Sequence, residues 1–406
     1  MNMPRILITG NGFDLHHKLP TTYKDFIKII SHILEDPNIS FEDIYQNSDS
    51  FAEIKNSFNN DIEFCKKNID SILEIANKNI LFDFFKNELE IDTWIDFENK
   101  IEYLLEGVFH SIRVFRETIV SFGPIQANRT FTVKSHLRNN IVYSSILNFL
   151  KIITSSDSQG FILNIKYLIK KYNYYVDFDE DKILNLIYSQ LIEFRKLFNL
   201  YLQTFVVPLY DKYKSGEHLS DVFSNIDYYF TFNYTPTFEK IYNFEKFDIN
   251  YLHGKSEPEK ENIVFGINEL FDDECYKSEY IKFTKYFQKF NNRTDFYFLN
   301  KLVKSDTENY VFYFWGHSLD KSDAGYINEV FDFVDNIKSK IRRIVVIYHS
   351  EGSRSKSLLN LFSIRGKVDI ENKMRNNHLL FYNINSSELK NDLEQSILNP
   401  PISFYF

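Results

Sequence analysis

Seven short apolar runs punctuate the chain: PRILIT (4–9), IDYYFTF (226–232), INYL (249–252), NIVF (262–265), YVFYFW (310–315), RRIVVIY (342–348) and LLFYNI (379–384). Most are continuous rather than alternating, which is the pattern of strands covered on both faces. Helical text separates several of them and predicts a parallel α/β sheet. The middle of the chain reads differently. From about residue 22 to 220, apolar positions recur at helical spacing, as at Ile62, Cys65, Ile69, Ile72 and Leu73. The same spacing returns at Ile183, Ile187, Leu191, Phe194, Phe198 and Tyr201, before Pro208 and Gly216 close the stretch. The simplest assembly is an α/β fold with a discontinuous Rossmann-like domain, residues 1–30 plus 221–406. Residues 31–220 are then a mainly helical insertion domain.

Composition narrows this picture. The 406 residues leave room for two domains, and 41 Phe with 27 Tyr predict an aromatic core whose tyrosine hydroxyls need partners. The net charge of −9 gives no global attraction to nucleic acid or to an anionic membrane, and leaves a local basic patch open. Two cysteines, Cys65 and Cys275, without a CxxC, exclude a structural zinc ribbon. There is no HxH or HExxH, so no metal site is expected. GxSxG and the Walker A pattern are also missing, which removes the simplest serine-hydrolase and P-loop readings. No apolar run reaches about 18 residues, and the first residues lack the layout of a secretory leader. The expectation is a soluble cytoplasmic chain with no membrane partner.

Candidate chemistry gathers where the predicted strands end. Gly10 and Gly12 bracket Asn11 directly after the first strand. Such a pair serves either close packing or a loop that brings backbone amides to a phosphate, and a following helix would point its positive end at the anion. The third glycine of a dinucleotide fingerprint is absent, since position 15 is Leu. Asp14 beside the glycines would repel phosphate and suits a ribose, a water or a cationic ring; an Asx turn or helix cap is its structural alternative. Thr22 with Asp25 reads as a capping pair. Later strands end in TFNYT (Asn233), LHG (His253, Gly254) and WGHSLDKSD (Gly316, His317, Ser318, Asp320, Asp323). Each alone is an ordinary strand end; their convergence favours a site at the carboxyl edge of the sheet. Tyr348 follows another strand, and either meets a ribose or lies in an exposed loop. Trp94, Asp96 and Glu98 begin a helical segment, as a helix start or as a source of a carboxylate.

The order of these motifs resembles the AbiH family of bacterial abortive-infection proteins: ILITGNGFDLHHKLPTTYKDF, TWIDFE, TFNYT, LHG with IVFGIN, and WGHSLDKSD. A more distant resemblance runs to sirtuin-like NAD-binding and NAD-degrading domains. It rests on Gly10/Gly12, Asn233, His253-Gly254 and Gly316-x-Ser318-Leu319, and departs where Thr235 stands in place of an acid and Asn11 in place of an alanine. This resemblance implies NAD or a related nucleotide at the sheet edge, with Asn233 and His253 as the catalytic pair; in NAD cleavage Asp14 would stabilise positive charge or water beside them. The loop Gly10, Asn11, Gly12, Phe13, Pro20 and Thr21 would hold the ligand together with Gly254, Gly316, His317, Ser318 and Tyr348.

The leading expectation is therefore a phage-defence effector that hydrolyses the nicotinamide–ribose bond of NAD. A nuclease or other phosphodiester hydrolase on the same fold is one alternative. A non-catalytic nucleotide sensor or phage-protein-binding module is another. Expected partners are a phage-derived trigger and further copies of the chain; long nucleic acids fit the acidic charge poorly.

Overall fold

Strand β1 (Arg5–Thr9) is five residues long and buried throughout. It belongs to a six-stranded sheet with β2 (Tyr228–Thr231), β3 (Ile249–Tyr251), β4 (Tyr310–Trp315), β5 (Arg342–Tyr348) and β6 (Leu379–Asn383). Every pairing is parallel. The strand order is β3-β2-β1-β4-β5-β6, which is that of doubly wound α/β sheets and agrees with a Rossmann-like layout. This is a computed structural model, and it describes residues 4–36, 39–86, 94–122, 144–155, 161–172, 174–213, 226–242, 249–258, 262–271, 279–294, 298–302, 309–337 and 342–394.

Period-two alternation divides the strand side chains between two cores. Ile6, Ile8, Phe312, Phe314, Ile344 and Val346 pack on one face with Ile327, Val330 and Phe331 of the helix Ala324–Asn336. Leu7, Val311, Tyr313, Trp315 and Val345 pack on the other with Phe13, Phe238 and Leu389. Both faces are covered, so the strands read as unbroken apolar runs. One expected strand does not form. Residues 262–265 lie outside the ladder, although Ile263, Val264 and Phe265 are buried; the Val264 amide reaches the His253 carbonyl at 2.9 Å.

Two compact units make up the chain: Met1–Ile72 with Phe198–Val264 and Lys289–Phe406, and Leu73–Leu197 with Phe265–Gln288. The first holds the sheet. It also contains the helix Tyr23–Glu35, whose start is the expected capping box: Thr22 Oγ1 accepts from the Asp25 amide at 2.9 Å. In the second unit the helix Trp94–Phe122 packs Phe97 against Phe85 and Phe194. Glu98 on that helix forms an ion pair with Lys285 at 2.7 Å; the side chains of Trp94 and Asp96 lie outside the described residues. The second unit also carries two antiparallel hairpins, Ile153–Ser155 with Phe161–Leu163 and Leu168–Lys171 with Tyr174–Phe178. Helical periodicity hid them because each strand has only three to five residues.

The doubly wound order reverses between β1 and β4, where such sheets open a crevice at their carboxyl edge. Here the two loops close on each other. The Gly12 amide donates to the Gly316 carbonyl at 2.8 Å, and the Gly10 amide to the Trp315 carbonyl at 3.1 Å. A Cβ on Gly316 would lie 2.2 Å from the Phe13 nitrogen, and its φ of +68° is strained for any L side chain. Gly316→Ala is expected to destabilise the fold by at least about 3 kcal/mol in chemical unfolding. Gly325→Ala, where an added Cβ meets nothing within 4 Å, should stabilise by about 0.4–1 kcal/mol.

Candidate functional site

The helix Asn11–His16 begins at the end of β1, and its fourth residue is Asp14. The Asp14 side chain turns inward to the segment after β2 and is 1% exposed. It accepts hydrogen bonds from Asn233 Nδ2 at 2.9 Å, Thr237 Oγ1 at 2.6 Å and Thr235 Oγ1. Burial raises its pKa from 3.8 to about 6, against the three donors, which pull it down. Tyr210 OH joins the network through Thr237 at 2.8 Å. A hydroxyl chain backs it: Tyr229 OH and Thr9 Oγ1 are 2.7 Å apart, Thr9 donates to Thr231 Oγ1 at 2.9 Å, and Thr231 Oγ1 accepts from the Asn233 amide at 3.0 Å.

This network orients Asn233. A carboxylate only accepts, so the amide nitrogen must face Asp14. The carbonyl end, Oδ1, takes no hydrogen bond among the described residues. Thr235 stands where the sirtuin-like pattern has an acid, and here it donates to a carboxylate that arrives from the β1 loop.

A second cluster lies at the ends of β3 and β4. His253 Nε2 is 3.2 Å from Asp323 Oδ1, and His317 Nε2 is 3.4 Å from Asp323 Oδ2. His317 Nδ1 accepts from the Leu319 amide at 2.9 Å, so its proton sits on Nε2, toward Asp323. Both nitrogens of His317 are thereby engaged. The Phe232 ring lies against both imidazoles, with centroids 5.1 Å from His253 and 4.2 Å from His317. Tyr326 stands edge-on to Phe232 at 5.3 Å, and its hydroxyl donates to the Leu252 carbonyl at 3.3 Å. Asp323 was visible in the sequence as the sixth residue after His317, but nothing in the spacing singled it out.

The remaining expected site residues divide between backbone and core. Gly10, Gly12 and Gly316 make the close loop contact. The amides of Gly10, Gly12 and Phe13 all donate to backbone carbonyls, so a phosphate cradle built from these three has no donors left. Phe13 is fully buried, edge-on to Trp315 at 4.7 Å, in a cluster with Tyr242 and His17. Asn11 is half-buried at the first helical position. The Pro20 carbonyl accepts from Tyr201 OH at 2.6 Å, and Thr21 is buried. Gly254 has φ +85°, and a Cβ there would lie 2.0 Å from the Asn262 carbonyl oxygen. Ser318 is half-buried, and its carbonyl accepts from Asn360 Nδ2 at 2.9 Å. Tyr348 ends β5, with the Arg354 guanidinium 6.0 Å from its ring. Among the described residues no group of three or more His, Cys, Asp or Glu could hold a metal ion.

Two glycine-rich strand ends pinned together, a buried carboxylate on an asparagine, and paired histidines on one aspartate follow the motif order of the sequence. A family model described as bacteriophage abortive infection AbiH matches residues 6–348. The chain belongs to the AbiH family. Its role is therefore in bacteriophage abortive infection. The match takes in the strand ends that carry Asn233, His253 and His317, and it stops at the last residue of β5. Neither a curated protein nor a solved structure matches this AbiH chain. No helix among the described residues is long and apolar enough to cross a membrane.

Asp14→Ala strands three buried donors and should cost about 2–4 kcal/mol in urea unfolding, the loss being limited by the 3.2 Å approach of Thr237 to Thr235. The pH dependence has a defined sign. Folded Asp14 holds its proton more tightly than the unfolded chain does, so its contribution is full below about pH 3.8 and is lost as pH rises through about 6. Between those limits, wild type should lose on the order of 3 kcal/mol relative to Asp14→Asn.

Proposed function

We propose that this AbiH chain is a hydrolase that cleaves the nicotinamide–ribose bond of NAD or a related nucleotide, with His253 as general base. What carries the reading is the Asp323 carboxylate, which faces an imidazole from each of two strand ends. His317 is held at both nitrogens, by the Leu319 amide and by Asp323. The same carboxylate faces His253 Nε2 at 3.2 Å and would hold the imidazolium formed when His253 takes up a proton. One base is enough for this bond. Nicotinamide leaves as a neutral ring from a cationic substrate and needs no acid. Phosphodiester cleavage at the same edge asks for an acid as well as a base, or for a metal.

In the proposed reaction the glycosidic bond breaks with its electron pair going to the nicotinamide nitrogen. The ribose carbon becomes oxocarbenium-like, and water adds to it. Asn233 Oδ1, aimed by Asp14, accepts a hydrogen bond from that water or from a ribose hydroxyl. The water's proton goes to His253, and the Asp323 carboxylate stabilises the imidazolium formed. Asp14 thus acts through Asn233 rather than at the ribose. The pyrophosphate is held by groups other than the amides of Gly10, Gly12 and Phe13.

Incubation with NAD should release nicotinamide, and His253→Ala should lower the rate by at least about 100-fold. Asp323→Asn should reduce kcat more than it raises KM, because it acts on the imidazolium. Phage-challenged cells expressing the wild type should lose NAD, and cells expressing His253→Ala should keep it. Release of nicotinamide at the wild-type rate by His253→Ala rejects the assignment. NAD that persists both with purified protein and in challenged cells rejects the substrate.

A further inference from the structure

The hairpin of Leu168–Lys171 and Tyr174–Phe178 is buried only at its base, at Leu168 and Phe178. Its turn residue Tyr172 is 87% exposed, with φ +54°. Among the described residues large apolar side chains elsewhere are mostly buried, yet within thirteen residues here Ile162, Ile165, Ile169, Tyr172 and Tyr174 are all exposed. The lysines between them are exposed as well. Lys170 pairs across the ladder with Tyr175, and Lys171 with Tyr174. Lys166 lies over the Tyr167 ring at 5.5 Å. Among the described residues none of these three lysines forms an ion pair. The hairpin's one carboxylate, Asp177, is taken by Arg116 at 2.7 Å, so the outer part of the hairpin is purely cationic.

We propose that this hairpin docks the protein onto an anionic lipid surface, with Tyr172 entering the headgroup layer. The charge is local: a chain of net −9 keeps Lys166, Lys170 and Lys171 without an ion pair among the described residues, beside one exposed turn. Phosphate polymers would satisfy the lysines but offer nothing to three exposed isoleucines. A bilayer interface takes both, burying aliphatic and aromatic surface while the lysine heads stay at the phosphates. The docking is peripheral and does not depend on the reaction proposed at the sheet edge.

The test is flotation of the full-length protein with phosphatidylcholine vesicles, with and without phosphatidylglycerol. Binding should require phosphatidylglycerol and weaken with salt. Each lysine at such a surface is worth about five-fold in affinity, so Lys170→Ala with Lys171→Ala should lower binding about 25-fold. Tyr172→Trp places a reporter at the turn, and its emission should shift to the blue with phosphatidylglycerol vesicles and not with phosphatidylcholine alone. These exposed substitutions leave the fold intact, and circular dichroism checks that they do. Equal flotation with both vesicles overturns the proposal. So does the absence of a blue shift, or lysine-dependent binding to a single-stranded oligonucleotide without vesicle binding.

Discussion

A carboxylate with almost no access to solvent holds the ends of two strands in place. Asp14 belongs to the loop after β1, while its three donors, Asn233, Thr235 and Thr237, belong to the segment after β2. Burying a charge this deeply is unfavourable unless its lone pairs are filled, and three donors fill them. The geometry of Asn233 follows from this contact, because an amide can present only its nitrogen to a carboxylate. On the other side of β1, the contact of Gly12 with Gly316 fixes β4's end, from which His317 and Asp323 depart. The candidate site is thus secondary to two contacts that no ligand needs to make.

Much of this was legible in the sequence. The strands were visible because a sheet covered on both faces needs unbroken apolar runs, and YVFYFW and RRIVVIY match β4 and β5 residue for residue. The strand ends were visible as Gly, Asn and His following those runs. What spacing could not convey was pairing across more than two hundred residues. Asp14 looked like a group for a ribose because its partners lie 219 to 223 positions away. Asp323 stayed one acid among several because its two histidines come from different strands. Residues 262–265 read as a strand because burial and apolarity are necessary for one, while ladder bonding leaves no mark in four residues.

The aromatic composition also finds a physical place. Buried tyrosines use their hydroxyls as long-range ties: Tyr201 to the Pro20 carbonyl, Tyr45 to the Phe205 carbonyl, and Tyr313 to Asp392 at 2.8 Å. Each ring contributes apolar area, and each hydroxyl fixes one contact that a phenylalanine would leave free to slide. Asp392 also takes Arg343 at 3.2 Å, so the helix Ser387–Glu394 is fastened to the sheet by polar as well as apolar contacts. Strand ends tied in this way hold the side chains of the candidate site in one arrangement.

The pairing of β1 with β2 joins Ile6 to Tyr228, and its pairing with β4 joins Arg5 to Val311. During synthesis, at about 5–20 residues per second, β1 leaves the ribosome on the order of ten seconds or more before either neighbour exists. Over that interval the nascent chain has Asp14 without its donors and has neither histidine. The candidate site therefore cannot assemble until synthesis has passed Asp323, because Asp14 precedes its donors by more than two hundred residues. Products that stop short of Asp323 lack part of the candidate site.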